Sequence, residues 1–517
     1  MNNIQILWAD DEIDSLKSHI LFLKDKGYDV TPVTNGHDAI DAVKEKNFDI
    51  IFLDENMPGI TGLEALPKIK TIRPQTPIVM ITKSEEENIM EDAIGSQIAD
   101  YLIKPVKPNQ ILLCLKKLID NKRLVSEKTN SNFRVELRNM MLSLGNANTA
   151  NEWFDAYKNL IYWEMELNKS ESIEMQEMVA MQKQEANAAF CKFISNNYLG
   201  WVNNPDDETP TLSNKLLSKK VFPSLKKGQP TYLILIDNLR FDQWKMIEQL
   251  WSEIATITSE DSYFAILPTA TQYARNAIFS GLMPLDISIK YPSMWRNDEE
   301  EGGKNLFEEQ LLIELIKRCN LNIKHSYTKI TNHHDGKELI DNIGNLQHND
   351  LNVIVYNFMD MLSHARTEME VLKELANDEK AYRSITYSWF QNSPLLMAIK
   401  KLEGKNVQII LTTDHGSVRV NSPSKMIADK EATTNLRYKT GKSMQYNPKD
   451  VFEINNPHQV KLPKQHISSK YVFAKNDCYF VYANNYNHFA NYYRNTFQHG
   501  GLSLEEMIVP IITLQMK

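Results

Sequence analysis

Short apolar runs alternate with amphipathic stretches over residues 1–121. Five of these runs have the length and composition of buried strands: IQILW, DVTPV, DIIFLD, PIVMIT and ADYLIK. Because helical patterns separate the runs, the repeat predicts a parallel sheet with helices on both faces. We therefore predict a first α/β domain over 1–121.

The pattern changes to a helical period over residues 122–205, where Gly and Pro are almost absent. Apolar side chains in this segment recur as on one face of a helix: Trp153, Tyr157, Leu160, Ile161, Leu167, Phe190, Phe193, Ile194 and Tyr198. We predict a helical bundle that links two larger domains. The aromatic stripe indicates core packing, and the alternative is that part of it packs against a second subunit.

Strand-like runs return after the loop sequence NNPDDETP at 203–210. They are TYLILID, YFAILP, LNVIVYNFMD, VQIILTTDHG, CYFVYA and MIVPIITL, and helical segments separate most of them. This order predicts a second α/β domain over 206–517. Residues 417–470 have little periodicity and many Lys, Asn, Ser and Pro, so we predict an inserted loop or lid there.

Length and charge narrow the class of protein. A chain of 517 residues is too long for one hydrophobic core and suggests about three domains. The net charge of −8 argues against a dedicated duplex-binding protein, which would present a basic surface.

No apolar run approaches the roughly 18–20 residues that span a bilayer, and MNNIQILWADDE indicates a first strand rather than a signal peptide. The four cysteines lie far apart, which predicts reduced thiols in a cytoplasmic protein.

Charged and hydroxyl side chains lie at the ends of the predicted strands in 1–121. The carboxyl ends of parallel strands share one edge of a sheet, so these side chains are expected to converge: Asp10, Asp11, Asp54, Thr82 and Lys104. The three carboxylates would hold Mg²⁺, which prefers oxygen ligands. The ion would neutralise a phosphoryl group on Asp54, and Lys104 and Thr82 would bind its oxygens.

Residues 1–121 resemble a response-regulator receiver domain, which has a flavodoxin-like fold. The motifs that carry this resemblance are ILWADDE, LDENMPGITGLEAL, MITKSEEE and ADYLIKPVKP. The resemblance implies that Asp54 is the phosphoacceptor and that Asp11, supported by Asp10, is a main Mg²⁺ ligand. It also implies that Thr82 and Tyr101 form the switch pair that rearranges on phosphorylation. The implied partner is a sensor histidine kinase, and phosphorylation would favour a homodimer through the fourth and fifth elements of the domain.

A second group of metal-ligand residues is spread over the last 280 positions, each in a loop or at the end of a predicted strand: Asp237, Asp360, His364, Asp414, His415 and His499. Three carboxylates and three imidazoles are a suitable ligand set for two closely spaced zinc ions. Asp360 and His364 are four residues apart, so one helical turn can direct both at one ion. Thr271 in LPTATQYARNAIFSG offers a hydroxyl nucleophile, and two metals with such a nucleophile are suited to phosphate-ester cleavage.

Over about 210–517, the motifs IDNLRFD, PTATQYARNAIFSG, FMDMLSH, TTDHG and QHGGLSLEEM resemble the PglZ branch of the alkaline phosphatase superfamily. This implies an α/β fold with helices on both faces of the sheet. It also implies two zinc sites, one formed by Asp360, His364 and His499, and the other by Asp237, Asp414 and His415 with Thr271. Thr271 would attack phosphorus, and water would then hydrolyse the phospho-threonine. Thr269, two residues earlier, is the nearest competitor for the nucleophile.

Four further residues are candidates for substrate binding. Asn238 follows a predicted ligand and would either donate to a phosphate oxygen or shape a turn. Arg275, like Arg240, would either form a structural ion pair or hold a phosphate. Arg437 and Lys439, in the inserted stretch, would contact an anionic substrate.

The order of receiver, helical middle and PglZ domain is similar to PorX-type response regulators, a family associated with type IX secretion. The resemblance implies a regulator whose Asp54 phosphorylation controls a zinc-dependent phosphodiesterase acting on a nucleotide or oligonucleotide. The alternative is an interaction module with structural zinc that binds a sigma factor or a secretion-system component, for which Thr271→Val would leave signalling intact. Since no basic helix-turn-helix pattern is present, we expect no direct duplex DNA binding.

Overall fold

The computed structural model of the chain forms two compact units, Met1–Arg134 and Val135–Lys517. It describes residues 4–74, 76–83, 98–120, 133, 135–137, 139–145, 147–168, 173–206, 208–298, 300–357, 378–428, 432–464 and 466–517. The domain boundaries predicted at 121 and 205 stay predictions, and helices from the predicted linker belong to the second unit.

The first unit is built on a five-stranded parallel sheet in the order β2-β1-β3-β4-β5. Its strands are β1 (Ile4–Ala9), β2 (Tyr28–Val33), β3 (Ile50–Asp54), β4 (Ile78–Thr82) and β5 (Asp100–Ile103). Its helices are α1 (Lys17–Asp25), α2 (Gly36–Glu45), α3 (Gly62–Ile72) and α4 (Pro108–Leu115). This strand order confirms the predicted flavodoxin-like fold.

Alternation along β1 shows why both faces of this sheet are covered. Leu7 and Ala9 belong to one apolar cluster, whereas Ile6 and Trp8 belong to a second. All four side chains are fully buried. A strand with apolar residues on both faces needs cover on both sides, and the amphipathic helices between the strands provide it.

Two long helices, α5 (Ala150–Leu167) and α6 (Ile173–Asn203), precede the α/β part of the second unit. The Trp153 ring lies 5.3 Å from the Phe190 ring and 5.7 Å from the Phe193 ring. Phe190 also packs on Phe264, a residue of the α/β part, at 5.8 Å. The aromatic stripe is therefore buried within the chain, as its core-packing interpretation predicts.

The mixed sheet of the second unit has the order β7-β19-β10-β6-β9-β8. Strands β10, β6, β9 and β8 pair in parallel, and β19 pairs antiparallel with both β10 and β7. Its strands are β6 (Thr231–Ile236), β7 (Ala255–Phe264), β8 (His325–Ile330), β9 (Leu351–Tyr356), β10 (Gln408–Thr412) and β19 (Ile508–Met516). The helices are α7 (Phe241–Ile254), α8 (Thr271–Ser280), α9 (Pro284–Lys290), α10 (Glu308–Arg318), α11 (His333–Asn342), α12 (Glu379–Gln391), α13 (Pro394–Lys400), α14 (Tyr486–Tyr493) and α15 (Leu504–Met507). Every residue of β6, β9 and β10 is buried, as expected for central parallel strands.

The prediction of a loop or lid at 417–470 is wrong. The segment forms short strands that belong to three small sheets: β11 (Val418–Arg419), β12 (Ser422–Ala428), β13 (Tyr438–Gly441), β14 (Met444–Gln445), β15 (Val451–Ile454) and β16 (Lys470–Ala474). Strands β17 (Cys478–Tyr482) and β18 (Phe497–Gln498) complete these sheets. Polar and charged residues on the exposed faces hide the apolar alternation, which explains why the sequence pattern failed here.

Within the described ranges, no helix combines the length and the apolar character needed to cross a lipid bilayer. The four cysteines are free thiols.

A network of ion pairs holds α5 and α6 to the α/β part. Glu164 of α5 lies 3.1 Å from the Lys183 amine and 2.5 Å from the Arg383 guanidinium. Arg383 also lies 3.0 Å from Asp242, which pairs with Arg240 at 2.5 Å. Burial opposes ionisation of Glu164, but Lys183 and Arg383 outweigh it and lower its pKa to about 2.

This pKa gives an expected pH dependence of stability. A carboxyl group with a lowered native pKa stabilises the fold above its ordinary pKa of 4.5, and the stabilisation is lost as the pH falls towards about 2. In urea unfolding, Glu164→Gln is therefore expected to lower the midpoint at pH 7. The gap to wild type should be constant down to about pH 4.5 and shrink below it. Glu177→Gln, at an exposed position of α6, is the control. A gap that stays constant at acidic pH would show that the Glu164 charge does not contribute.

Candidate functional site

Two parallel strands bring predicted ligands to one edge of the mixed sheet. β6 and β10 are neighbours, with Leu235 in register with Thr412. Asp237 follows the last residue of β6, and Asp414 comes two residues after β10 ends. Asn238 has a left-handed φ of 60° and turns the chain after Asp237. The carboxyl ends of parallel strands are the usual place for a binding site in such sheets.

Asp237, Asp414 and His415 form a compact cluster at this edge. One ligand atom from each residue lies within 4.8 Å of the others, and all three side chains are buried. The His415 Nε2 atom is 3.8 Å from Asp237 Oδ1 and 3.9 Å from Asp414 Oδ2. The structure therefore brings together three of the six predicted zinc ligands.

Arg275 compensates the buried negative charge of this cluster. Its Nε donates to Asp414 Oδ2 at 2.9 Å, its Nη2 pairs with Asp237 Oδ2, and its Nη1 lies 3.6 Å from Glu308 Oε1. Burial alone would lower the pKa of Arg275, but these carboxylates raise it well above its ordinary value. Conversely, burial opposes ionisation of Asp414, and Arg275 and His415 lower its pKa. The arginine is thus an ion-pair residue that orients both carboxylates.

Backbone carbonyls fix the orientation of the two predicted histidine ligands. His415 Nδ1 lies 3.1 Å from the Gly416 carbonyl oxygen, and His499 Nδ1 lies 3.2 Å from the Thr269 carbonyl oxygen. Since a carbonyl only accepts, each Nδ1 donates to it, and Nε2 is the nitrogen through which each ring would bind a metal. The two rings stack at 4.3 Å. Both histidines therefore present the nitrogen that a metal needs.

Thr271 is the first residue of α8 and reaches the same cluster. Its Oγ1 is 3.0 Å from His415 Nε2 and 3.4 Å from Asp237 Oδ1. The first N–H groups of a helix have no partner within the helix and favour anions, so a phosphate beside Thr271 would be stabilised. By contrast, the Thr269 hydroxyl donates to the Gly501 carbonyl and accepts from the Gly500 amide. Thr269 therefore shapes the His499 loop.

The donor set fits zinc. Carboxylate oxygens and a neutral imidazole are ordinary zinc ligands, and a hydroxyl stands beside them. Because Arg275 binds an Oδ2 atom of each aspartate, Asp237 Oδ1 is left directed towards His415 and Thr271. Asp360 and His364 lie outside the described residues, so the second predicted zinc site is described only at His499.

Two candidates for substrate binding have structural contacts instead. Arg437 is fully buried, pairs with Glu506 at 2.6 Å and donates to the carbonyls of Asn476 and Cys478. Lys439 is 1% exposed and donates to the Thr433 carbonyl at 2.5 Å. Burial lowers the Lys439 pKa to about 8. These contacts indicate that both residues support the fold of the inserted strands. Asn238 donates its backbone N–H to Asp414 Oδ1 at 3.3 Å, which supports the turn interpretation.

Sequence reasoning missed Glu308 and the packing partner of Gly416. Glu308, far along the chain from Asp237, gives Arg275 a further carboxylate, and no local motif indicates that contact. Gly416 allows close packing, since a Cβ there would overlap the Glu505 carbonyl oxygen. A glycine directly after the Asp-His pair indicates a close backbone approach. The residue that approaches it, Glu505, lies 89 positions later, and the sequence does not identify it.

The site of the first unit has the predicted set of side chains. The carboxylates of Asp10, Asp11 and Asp54 lie within 4.8 Å of one another. The Lys104 amine is 2.9 Å from both Asp10 Oδ2 and Asp54 Oδ2. Burial raises the pKa of Asp54 to about 6, although the Lys104 hydrogen bond acts in the opposite direction. The three oxygen donors are suited to Mg²⁺.

The two residues of the predicted switch pair also have defined positions. The Thr82 hydroxyl donates to a carboxylate oxygen of Glu55, and the Tyr101 side chain is 38% exposed.

At Gly62, a Cβ would overlap the Asp54 carbonyl oxygen, so glycine allows α3 to begin against the end of β3.

Three family models match the chain in consecutive segments. Residues 6–116 match the response regulator receiver domain, and residues 123–202 match the PorX response regulator linker domain. Residues 216–514 match the BREX system PglZ alkaline phosphatase-like domain, which covers more than half of the chain. The chain belongs to the PglZ alkaline phosphatase-like family. Together the three matches are those of a PorX-type response regulator.

Two relatives each match about a quarter of this PglZ-family regulator. The transcriptional regulatory protein ZraR of Klebsiella oxytoca is 33% identical over 121 residues, which are 23% of this chain and 27% of that protein. ResD of Bacillus subtilis is 30% identical over 141 residues, 27% of this chain and 57% of ResD. The chain therefore spans about a quarter to just over half of the length of these relatives.

Among solved structures, CheY4 of Vibrio cholerae is 27% identical to this chain. The match covers 23% of this chain and 100% of the CheY4 chain, with a TM-score of 0.22. A two-component response regulator of Clostridium difficile is also 27% identical, covers 23% of this chain and 96% of its own, and has a TM-score of 0.22.

The family assignment has two coarse consequences. Receiver domains bind Mg²⁺, in agreement with the three carboxylates of the first site. The PglZ domain belongs to an alkaline phosphatase-like superfamily whose members typically use metals.

Proposed function

We propose that this PglZ-family regulator hydrolyses phosphodiesters of nucleotides or oligonucleotides with zinc, and that phosphorylation of Asp54 controls the reaction. The observation that carries the proposal is the position of Thr271. Its hydroxyl lies 3.0 Å from His415 Nε2, at the edge of a buried cluster of two carboxylates and an imidazole. A nucleophile beside such a cluster is the arrangement that phosphate-ester cleavage needs.

Asp237, Asp414 and His415 would hold one zinc ion, and His499 with Asp360 and His364 would hold the second. Zinc bound there would favour ionisation of a nearby hydroxyl and offset negative charge on the phosphoryl oxygens. Thr271 Oγ1 forms a bond to phosphorus while the bond to the leaving alcohol breaks. Water then cleaves the phospho-threonine ester and restores the hydroxyl. Meanwhile the N-terminus of α8 orients the phosphate, and Arg275 holds the two aspartates in place.

The experiment that tests this function uses protein stripped with a chelator and titrated with zinc. Bis-p-nitrophenyl phosphate is expected to be hydrolysed in proportion to bound zinc, and p-nitrophenyl phosphate more slowly. Hydrolysis of the monoester alone would reject the diesterase assignment. Zinc binding without any hydrolysis of either compound would favour an interaction module that binds a protein partner.

Phosphorylation of Asp54 gives a second expectation. Acetyl phosphate with Mg²⁺ is expected to add one phosphoryl group per chain and to shift the protein towards a dimer at sedimentation equilibrium. Asp54→Asn removes the acceptor oxygen that Lys104 contacts and should abolish both effects. Asp41→Asn, at an exposed position of α2, is the matched control. Equal dimer fractions with and without the phosphoryl group would reject dimer control.

The PorX-type match suggests the cellular setting. We place the protein in the cytoplasm, with a sensor histidine kinase upstream and type IX secretion as the process that it regulates. A sigma factor or a secretion-system component is the proposed protein partner. A pull-down that recovers neither of these, from cells in which Asp54 is phosphorylated, would remove this part of the proposal.

A further inference from the structure

Two side chains of the linker helix α6 bind α15, the short helix that follows the His499 loop. Lys183 and Asn187 are one helical turn apart and both reach Glu505 of α15. The Lys183 amine is 3.1 Å from Glu505 Oε1, and the Asn187 amide donates to Glu505 Oε2 at 3.0 Å. Asn187 Oδ1 also accepts from the Leu504 backbone N–H at 2.7 Å. Lys183 is 18% exposed and Glu505 5% exposed, so these contacts are largely shielded from water.

Glu505 lies directly against the loop of His415. A Cβ at Gly416 would overlap the Glu505 carbonyl oxygen, and the Gly416 N–H donates to the neighbouring Glu506 carbonyl at 3.1 Å. The Gly416 carbonyl in turn fixes the His415 ring through Nδ1. A displacement of Glu505 therefore moves the backbone that orients His415.

The same ion pairs reach the segment of Asp237. Lys183 binds Glu164, Glu164 binds Arg383, and Arg383 binds Asp242. Asp242 holds Arg240, three residues after Asp237.

Arg240 also touches the segment of His499. Its guanidinium lies 4.9 Å from the ring of Phe497, which precedes His499 by two residues. Through these contacts, each of the three ligand-bearing segments in the described part of the chain is joined to α5 or α6.

A cavity of about 730 Å³ lies beside these contacts. Lys183, Glu379 and Glu505 line it, together with Arg419 and Asn421 from the strands after His415. Across this cavity, Lys183 and Asn187 attach α6 to Glu505, so a change in the position of α6 reaches α15 through a few polar contacts.

We propose that Glu164, Lys183 and Asn187 are positioning residues of the PglZ metal site, so that helices α5 and α6 set its affinity for zinc. The inference rests on the proposed zinc site. It gives the linker domain a part in the active centre, since its side chains hold the loops that present Asp237, His415 and His499. Outer contacts of this kind typically change metal affinity by about 10–100-fold when they are removed.

The test measures zinc affinity of the full chain by competition with a chromophoric chelator. Lys183→Met and Asn187→Ala are each expected to weaken zinc binding about tenfold. They should also change the visible absorption spectrum of the Co²⁺-loaded protein, because the ligand geometry shifts. Lys183→Arg keeps the positive charge, so its zinc affinity and its Co²⁺ absorption spectrum should be close to those of wild type. Lys192→Met, at an exposed position of α6, is the matched control and should match wild type.

Zinc affinities within about twofold of wild type and unchanged Co²⁺ spectra in both variants would overturn the inference. If Lys183→Met does not fold, Asn187→Ala decides, because it removes two hydrogen bonds without leaving a charge unpaired. Wild-type protein that binds no zinc would instead refute the proposed function. The two failures are therefore distinguishable.

Discussion

Thr271→Val is expected to reduce hydrolysis of bis-p-nitrophenyl phosphate by the zinc-loaded protein by about 10³-fold or more. Valine has nearly the shape of threonine but lacks the Oγ1 atom that lies beside His415 and Asp237. Without that atom no bond to phosphorus can form, and only binding and electrostatic stabilisation remain. The measurement is the steady-state rate at saturating zinc, with zinc content determined on the same samples.

Two controls make this result specific to the hydroxyl. Thr271→Ser retains an oxygen nucleophile and should keep activity within about tenfold of wild type. Thr269→Val removes a hydroxyl that binds the Gly500–Gly501 loop, so it should weaken zinc binding through His499 rather than remove the nucleophile. Full activity of Thr271→Val would contradict the assignment of the nucleophile.

Arg275→Gln is expected to destabilise the zinc-free protein by about 3–5 kcal/mol, because it leaves buried carboxylates without their cation. Arg275 is fully buried and contacts Asp237, Asp414 and Glu308. A zinc ion bound by the two aspartates would replace part of the missing positive charge. Zinc should therefore raise the thermal unfolding midpoint of Arg275→Gln by more than it raises that of wild type.

Arg437→Gln is the matched control for this prediction. Arg437 is also a fully buried arginine, but its carboxylate partner is Glu506, which is not a proposed ligand. Its loss should destabilise the protein without increasing the stabilisation by zinc. If zinc stabilises both variants equally, zinc does not replace the charge of Arg275 beside the two aspartates.

Much of the fold could be predicted because burial leaves a simple signal. Strands β3 and β4 of the first unit and the central strands β6, β9 and β10 are fully buried and largely apolar. β8 has the sequence HSYTKI and is only half buried at the edge of its sheet, so it was not predicted. The strands between 417 and 470 were not predicted for the same reason. A strand with one solvated face and many polar residues has no distinctive composition.

The candidate site shows a similar division. The grouping of Asp237, Asp414 and His415 came from the family resemblance, and the structure gives its physical basis, because residues at the ends of neighbouring parallel strands converge. The role of Arg275 could not be decided, since an ion pair and a phosphate contact require the same residue type. Contacts such as Lys183 with Glu505 join residues over 300 positions apart, and a single sequence holds no signal for them.

The central claim is that Thr271 attacks phosphorus, and it is tested most directly by trapping the ester. Zinc-loaded protein mixed with excess bis-p-nitrophenyl phosphate is quenched in acid within one turnover, digested and analysed by tandem mass spectrometry. The expected result is a p-nitrophenyl phosphoryl group on Thr271, absent from Thr271→Val. A group on Thr269, or an unmodified peptide from protein that is turning over substrate, would contradict the proposed mechanism.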